Sequence, residues 1–191
     1  MNLQQIRSIY FIGIGGIGMS ALARWFKTKG YAVAGYDLTE TDLTRRLQQE
    51  GIHVHYTDDP ALIPDSFRTP ADTLVVYTPA VPANHTELAW FRERSFEVKK
   101  RSAVLGFLTE NLFTIAVAGT HGKTTTSSMI THLLTFAGKN CTAFLGGIAQ
   151  NYGSNLITSQ GALADTAVVA EADEYDRSFL TLYPNIAVVT S

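Results

Sequence analysis

The stretch Gly119-Thr120-His121-Gly122-Lys123-Thr124-Thr125-Thr126 has the residue types that hold a chain of phosphates. An apolar run over 113–118 precedes it, and a helical pattern through Ile130, Leu133, Leu134 and Ala137 follows. A strand, a glycine turn and Lys-Thr at a helix start form the layout of a nucleoside triphosphate site. The first amides of the helix point at the ligand, and the helix dipole favours negative charge there. Lys123 adds a point charge near the β- and γ-phosphates, and Thr124 a hydroxyl for Mg²⁺. The full pattern carries glycine at position 117, where this chain has Val117, so the loop is shorter than usual. A bland alternative is a glycine turn with a lysine after it. A cation at the positive end of a helix argues against that unless an anion sits there.

A second glycine turn lies near the N-terminus. The run Ser8 to Ile12 has strand character and leads into Gly13-Ile14-Gly15-Gly16-Ile17-Gly18-Met19-Ser20. The next residues, through Phe26, read as a helix with Ile17, Ala21, Leu22, Trp25 and Phe26 on one face. Gly30 suits the end of that helix, and Tyr31 to Asp37 reads as the following strand. This is a G-x-G-x-x-G turn in a strand-helix-strand unit, with Asp37 at the distance expected for a ribose contact. Gly13 serves the tight turn, Gly15 the approach of a diphosphate, and Gly18 close helix–strand packing. The motif fits NAD, FAD or a nucleotide-sugar diphosphate.

Four acids follow an apolar strand pattern over 166–170: Glu171, Asp173, Glu174 and Asp176. A carboxylate at that strand end can face Mg²⁺ bound to Thr124 and a triphosphate, because Mg²⁺ takes oxygen ligands and needs only one or two carboxylates. Glu171 is nearest the strand, with Asp173 second and Asp176 placed to pair with Arg177. A solvated acidic loop is the alternative. His53 and His55 alternate on a strand without a partner set for a metal. His132 reads as a surface or packing residue, and His121 as a binding or positioning residue in the phosphate loop.

These motifs need a scaffold of alternating strands and helices. Strands are expected at 53–56, 73–78, 97–100, 142–145 and 185–190, and helices at 41–50, 86–94 and 102–111. The alternation predicts an α/β fold with parallel sheets, in which ligands gather at the carboxyl ends of strands, where Gly13, Asp37 and Thr78 would lie. The polar stretch 150–165 reads as a loop. The boundary between two units is expected near Glu110, giving 1–109 and 110–191.

Composition sets limits. The chain has 191 residues, 46% of them apolar, and a net charge of −2. It can build packed cores, and it lacks the charge excess of a protein that binds nucleic acid by bulk attraction. The short Lys99-Lys100-Arg101 run is expected to be solvated or capping. A single Cys141 gives no disulfide framework and suits a reducing compartment. No apolar run reaches bilayer length and no signal peptide is visible, so membrane insertion is not expected and the cytoplasm is.

The glycine loop 13–21, the phosphate loop 119–126 and the segment Glu171 to Leu180, in this order, resemble the Mur ligases of bacterial cell-wall synthesis, and within them the alanine-adding branch. Tyr175 stands where many members carry Ser. The resemblance implies a Rossmann-like N-terminal domain that binds UDP, followed by the first part of a P-loop ATPase domain. It further implies that the chain is a fragment, inactive alone, of a larger ligase. The implied chemistry is ATP-driven attachment of L-alanine to UDP-N-acetylmuramate through an acyl phosphate. On this basis Gly119, Thr120, His121, Gly122, Lys123, Thr124 and Thr125 would hold ATP, Lys123 and Glu171 would be catalytic, and Thr124 and Glu171 would take Mg²⁺. Gly13, Gly15, Gly16, Ile17, Gly18, Met19 and Ser20, with Asp37 and Thr78, would hold the UDP-sugar. The rival readings are a relative that attaches whole peptides to the same sugar nucleotide during wall recycling, an NAD-dependent oxidoreductase and a nucleotide-gated binding module.

Overall fold

A computed structural model describes residues 2–110, 112–159, 165–172 and 179–191. The chain divides into two compact units, Met1–Arg101 and Ser102–Ser191.

In the first unit, β1 (Ser8–Ile12) is flanked by β2 (Ala32–Tyr36) and β4 (Thr73–Tyr77), with β3 (His53–His55) and β5 (Glu97–Lys100) outside them. All neighbours pair in parallel. Every residue of β1 is buried, which suits a central strand covered on both faces. The helices α1 (Ile17–Thr28), α2 (Asp42–Gln49) and α3 (Thr86–Glu93) connect successive strands. Thr41 starts α2 through a capping box, its side chain accepting from the Thr44 amide while Thr44 Oγ1 accepts from the Thr41 amide. One core cluster joins Tyr10 and Ile12 of β1 to Tyr36, Val75, Phe67 and Phe91.

The helix α4 (Arg101–Thr109) starts on the last residue of the first unit and leads into the second, which holds β6 (Thr114–Ala118), α5 (Lys123–Phe136), β7 (Cys141–Ala149), β8 (Ser154–Thr158), β9 (Ala167–Glu171) and β10 (Ile186–Val189). The sheet order is β10-β6-β9-β7-β8. All pairs are parallel except β7 with β8, so the second sheet is mixed. The expected loop at 150–165 thus contains a strand. β8 forms an antiparallel hairpin on β7, closed by the turn at Gln150 to Gly153. β7 is also longer than the expected 142–145, because it continues past a register shift between Phe144 and Ala149. Of the apolar residues in the helical pattern expected for α5, Ile130 and Leu134 pack on the core, whereas Leu133 is 64% exposed.

Candidate functional site

Two sites follow from the two units. In the first, Gly13, Gly15 and Gly16 form the β1–α1 turn, and Ile17, Gly18, Met19 and Ser20 make the first turn of α1. Met19 and Ser20 are buried, so they offer backbone rather than side chains to a ligand. Gly16 caps α1 without any side-chain hydrogen bond, and no acid lies in the first turn. A helix start of this kind, with no acid in its first turn, favours an external anion. Thr78 packs on Gly13, where an added Cβ would come 2.6 Å from its methyl carbon. Asp37 sits beside the turn. Its Oδ2 accepts from the Gly15 amide at 2.6 Å and its Oδ1 from the Thr39 amide at 3.1 Å. The carboxylate therefore braces the glycine turn.

Gly18 departs from the expected helix–strand packing role. The space beside it is filled by Arg101, whose Nη1 would lie 2.8 Å from an added Cβ. A guanidinium thus lies at the head of α1, so Arg101 is neither merely solvated nor merely capping. Arg101 was not legible in the sequence, because it lies 83 positions from Gly18 and its local signal is a short basic run.

In the second unit, Gly119, Thr120, His121 and Gly122 link β6 to α5, and Lys123, Thr124 and Thr125 open the helix. Gly122 has φ +81°, a left-handed conformation that L side chains avoid. It caps α5 without a side-chain bond, and the first turn again lacks an acid. Lys123 Nζ donates to the carbonyls of Gly119 and Thr120, so the ammonium lies over its own loop. The loop is held from behind by the two residues that follow β10: the His121 amide donates to Ser191 O at 2.9 Å, and Thr190 Oγ1 lies 3.0 Å from Ala118 O. Sequence reasoning missed Thr190. His121 has an exposed side chain at the rim of the loop.

Glu171 ends β9, next to β6 in the sheet, and this brings it to the loop. Thr124 Oγ1 donates to its Oε2 at 3.0 Å. Two hard oxygen donors side by side at a phosphate loop suit Mg²⁺, which completes its shell with phosphate oxygens and water. Among the described residues no group of three His, Cys, Asp or Glu forms a metal cage, and Mg²⁺ at a nucleotide does not require one. Asp173, Glu174, Tyr175, Asp176 and Arg177 lie outside the described residues. A cleft of about 230 Å³ opens beside Thr124 and Thr125, bordered by His132, Ile148 and Tyr152. His132 is bonded there to the Tyr152 hydroxyl at 3.2 Å. Cys141 is buried in β7, and burial pushes its thiol up to about 11, which removes it as a nucleophile at neutral pH.

His53 and His55 differ in role. His53 is exposed, and His55 joins a buried polar cluster. The Tyr10 hydroxyl lies 2.7 Å from both His55 Nε2 and Glu87 Oε2, and Glu87 is fully buried. Burial, reinforced by the Asp58 charge, pushes the Glu87 carboxyl up to about 7.

Comparison with known proteins covers both units. Residues 8–112, more than half the chain, match the Mur ligase family catalytic domain, and residues 117–191 match the Mur ligase middle domain. A UDP-N-acetylmuramate–L-alanine ligase of Cytophaga hutchinsonii is 58% identical over 191 residues, and one of Parabacteroides distasonis is 55% identical over 193 residues. Each alignment covers 100% of this chain and 41% of the relative, so the chain spans about two fifths of their length. The solved UDP-N-acetylmuramate-alanine ligase of Thermotoga maritima superposes with a TM-score of 0.79 at 32% identity, covering 95% of this chain and 40% of that one. A UDP-N-acetylmuramate:L-alanyl-gamma-D-glutamyl-meso-diaminopimelate ligase from Neisseria meningitides gives 0.83 at 28% identity, covering 96% and 60%. With these matches running along its whole length, the chain belongs to the Mur ligase family.

Proposed function

We propose that the full-length protein joins L-alanine to UDP-N-acetylmuramate, driven by ATP, in bacterial wall synthesis. The observation that carries this reading is the placement of Thr124 Oγ1 against Glu171 Oε2 at the mouth of the phosphate loop. It is supported by relatives of that name matching along all 191 residues. The reading assigns the start of α1, with Arg101, Thr78 and the Asp37-braced turn, to the diphosphate and nucleoside of the sugar donor. It assigns residues 119–125 to ATP. An NAD-dependent oxidoreductase would leave the second loop without a purpose.

The chemistry is two displacements. A carboxylate oxygen of the muramate attacks the γ-phosphorus, the bond from γ-phosphorus to the bridging oxygen breaks, and ADP leaves. The amine of L-alanine then attacks the acyl carbon, the bond from carbon to phosphate oxygen breaks, phosphate departs, and the amine gives up a proton to form the amide. Neither step needs a protein nucleophile. Both need in-line placement and neutralised charge. Lys123 exchanges its loop carbonyls for β- and γ-phosphate oxygens, and the first amides of α5 bind the same oxygens. Thr124 and Glu171 would hold Mg²⁺, which supplies charge neutralisation at the phosphates. ATP and a UDP-sugar place the reaction in the cytoplasm.

The test is phosphate release by the full-length protein with ATP, UDP-N-acetylmuramate and L-alanine. Release that requires all three, with L-alanine preferred over the tripeptide L-alanyl-γ-D-glutamyl-diaminopimelate, is expected. Preference for the tripeptide moves the protein to the recycling branch, and release that ignores the sugar nucleotide overturns the assignment.

A further inference from the structure

Glu171 receives more than the Thr124 hydroxyl. Its Oε1 accepts from the Gly146 amide at 2.7 Å, and the Ser127 hydroxyl lies 3.0 Å from the same oxygen. The Gly146 amide is available because β7 leaves its register after Phe144. The register shift lies between Phe144 and Ala149, beyond the last β7–β9 pair at Phe144 and Ala170. Gly146 is also sterically required. An added Cβ would collide with Glu171 Oε2 and lie 2.9 Å from its carboxyl carbon. Ser127 sits one turn into α5, fully buried, with its hydroxyl also 2.8 Å from Lys123 O. The hydroxyl also lies 3.2 Å from Thr124 O, and of its three acceptors the Glu171 carboxyl oxygen is the one that draws a donor from a different element. Oε1 thus carries two donors from two different elements, and Oε2 is left facing Thr124.

We propose that Ser127 and the Gly146 amide are positioning groups that clamp one oxygen of Glu171 so that the other is presented, beside Thr124, to the metal of the bound nucleotide. The inference rests on the reading of Glu171 as metal-facing. The clamp acts through Glu171 and touches neither nucleotide nor metal. A freely rotating carboxylate could turn both oxygens away from Thr124. With Oε1 pinned from the helix and from the β7 bulge, only Oε2 is left to meet the cation.

The test uses the full-length chain, a fluorescent ATP analogue and Mn²⁺ as the metal probe. Nucleotide affinity is titrated with and without Mn²⁺ for Ser127→Ala, Gly146→Ala and Glu171→Gln. The expected result for Ser127→Ala and Gly146→Ala is unchanged affinity without metal, but about a tenfold or greater loss in the metal-dependent gain, as for other groups that orient a metal ligand. Gly146 is exposed, and its variant keeps the amide but drives a methyl against Glu171 Oε2, so it reads the placement of the carboxylate even if the buried Ser127 variant fails to fold. If Glu171→Gln loses the metal-dependent gain while both clamp variants retain it, the clamp is refuted and the reading of Glu171 stands. If Glu171→Gln itself retains the gain, the reading of Glu171 fails, and the clamp falls with it.

Discussion

Lys123 stands where an isolated lysine is unfavourable, at the positive end of α5. Its ammonium lies on the Gly119 and Thr120 carbonyls, so part of its charge is answered by the loop itself. A triphosphate would replace those carbonyls with full negative charges. Lys123→Ala in the full-length protein should therefore lower kcat by about 10²-fold or more, the scale for losing a group that stabilises transition-state charge. A phosphate-release assay checks this, and near wild-type turnover would remove Lys123 from the reaction. Arg101 makes the matching case at α1. Arg101→Ala should weaken UDP-N-acetylmuramate binding about tenfold and flatten its dependence on salt, since a charge contact screened by ions is lost. Calorimetry at two salt concentrations reads both effects, and unchanged affinity would confine Arg101 to packing on Gly18. Lys123 and Thr124 were legible in the sequence because a phosphate loop is a local object, with its glycines, lysine and threonine within a few residues. Arg101, Ser127 and Gly146 were not, because each acts on a partner far along the chain.

At the scale of elements, the strands and helices were mostly legible because alternation and capping leave local marks. The exception is β8. Ser154-Asn155-Leu156-Ile157-Thr158 is short and polar, flanked by Gly153 and Ser159, and reads as a loop until β7 offers its edge. Strand formation there depends on a partner rather than on propensity. The buried cluster of the first unit was hidden for the same reason. Tyr10 comes from β1, His55 from β3, Glu87 from α3, and Asp58 caps α3 through the amides of Thr86 and Glu87 at 2.8 and 3.0 Å. His55 Nδ1 faces Thr57 O at 3.0 Å, which suits a proton on Nδ1 and a bare Nε2. The single Tyr10 proton then cannot serve both His55 and an ionised Glu87. The cluster is satisfied when Glu87 keeps its own proton, in accord with its carboxyl at about 7. Between the usual carboxyl range and about 7, the unfolded chain has released this proton while the folded chain holds it, so this contribution to stability falls as pH rises through that window. Burial lowers His55 and His85, which makes their contributions rise with pH up to their ordinary value, in the opposite sense. Glu87→Gln removes only the falling part. Relative to the parent, it should gain stability on the order of 2 kcal/mol between pH 5 and pH 8 in urea unfolding. Parallel pH profiles for the two proteins would show that Glu87 is ionised in the fold throughout.

The two units differ in how well they cover their apolar surface. In the first, the central strands β1 and β4 are buried almost throughout, and the large exposed apolars are few. In the second, Met129, Leu133 and Phe136 lie on one stripe of α5 at 61, 64 and 85% exposure, and Ile186 and Val189 of β10 are 46 and 77% exposed. Among the described residues β10 pairs with β6 alone and stands at the edge of the sheet. Apolar stripes and open strand edges of this kind invite association. The 191-residue chain should therefore bind a hydrophobic dye and self-associate as its concentration rises. Leu133→Glu with Phe136→Glu should reduce both effects, and melting should change little, because exposed positions away from caps and cores shift stability by about 0.5 kcal/mol or less. A longer chain extending over the length of the relatives should bind the dye less than the 191 residues do. Dye binding unaltered by the double substitution would show that the α5 stripe is not the surface responsible, and would move attention to the free edge of β10.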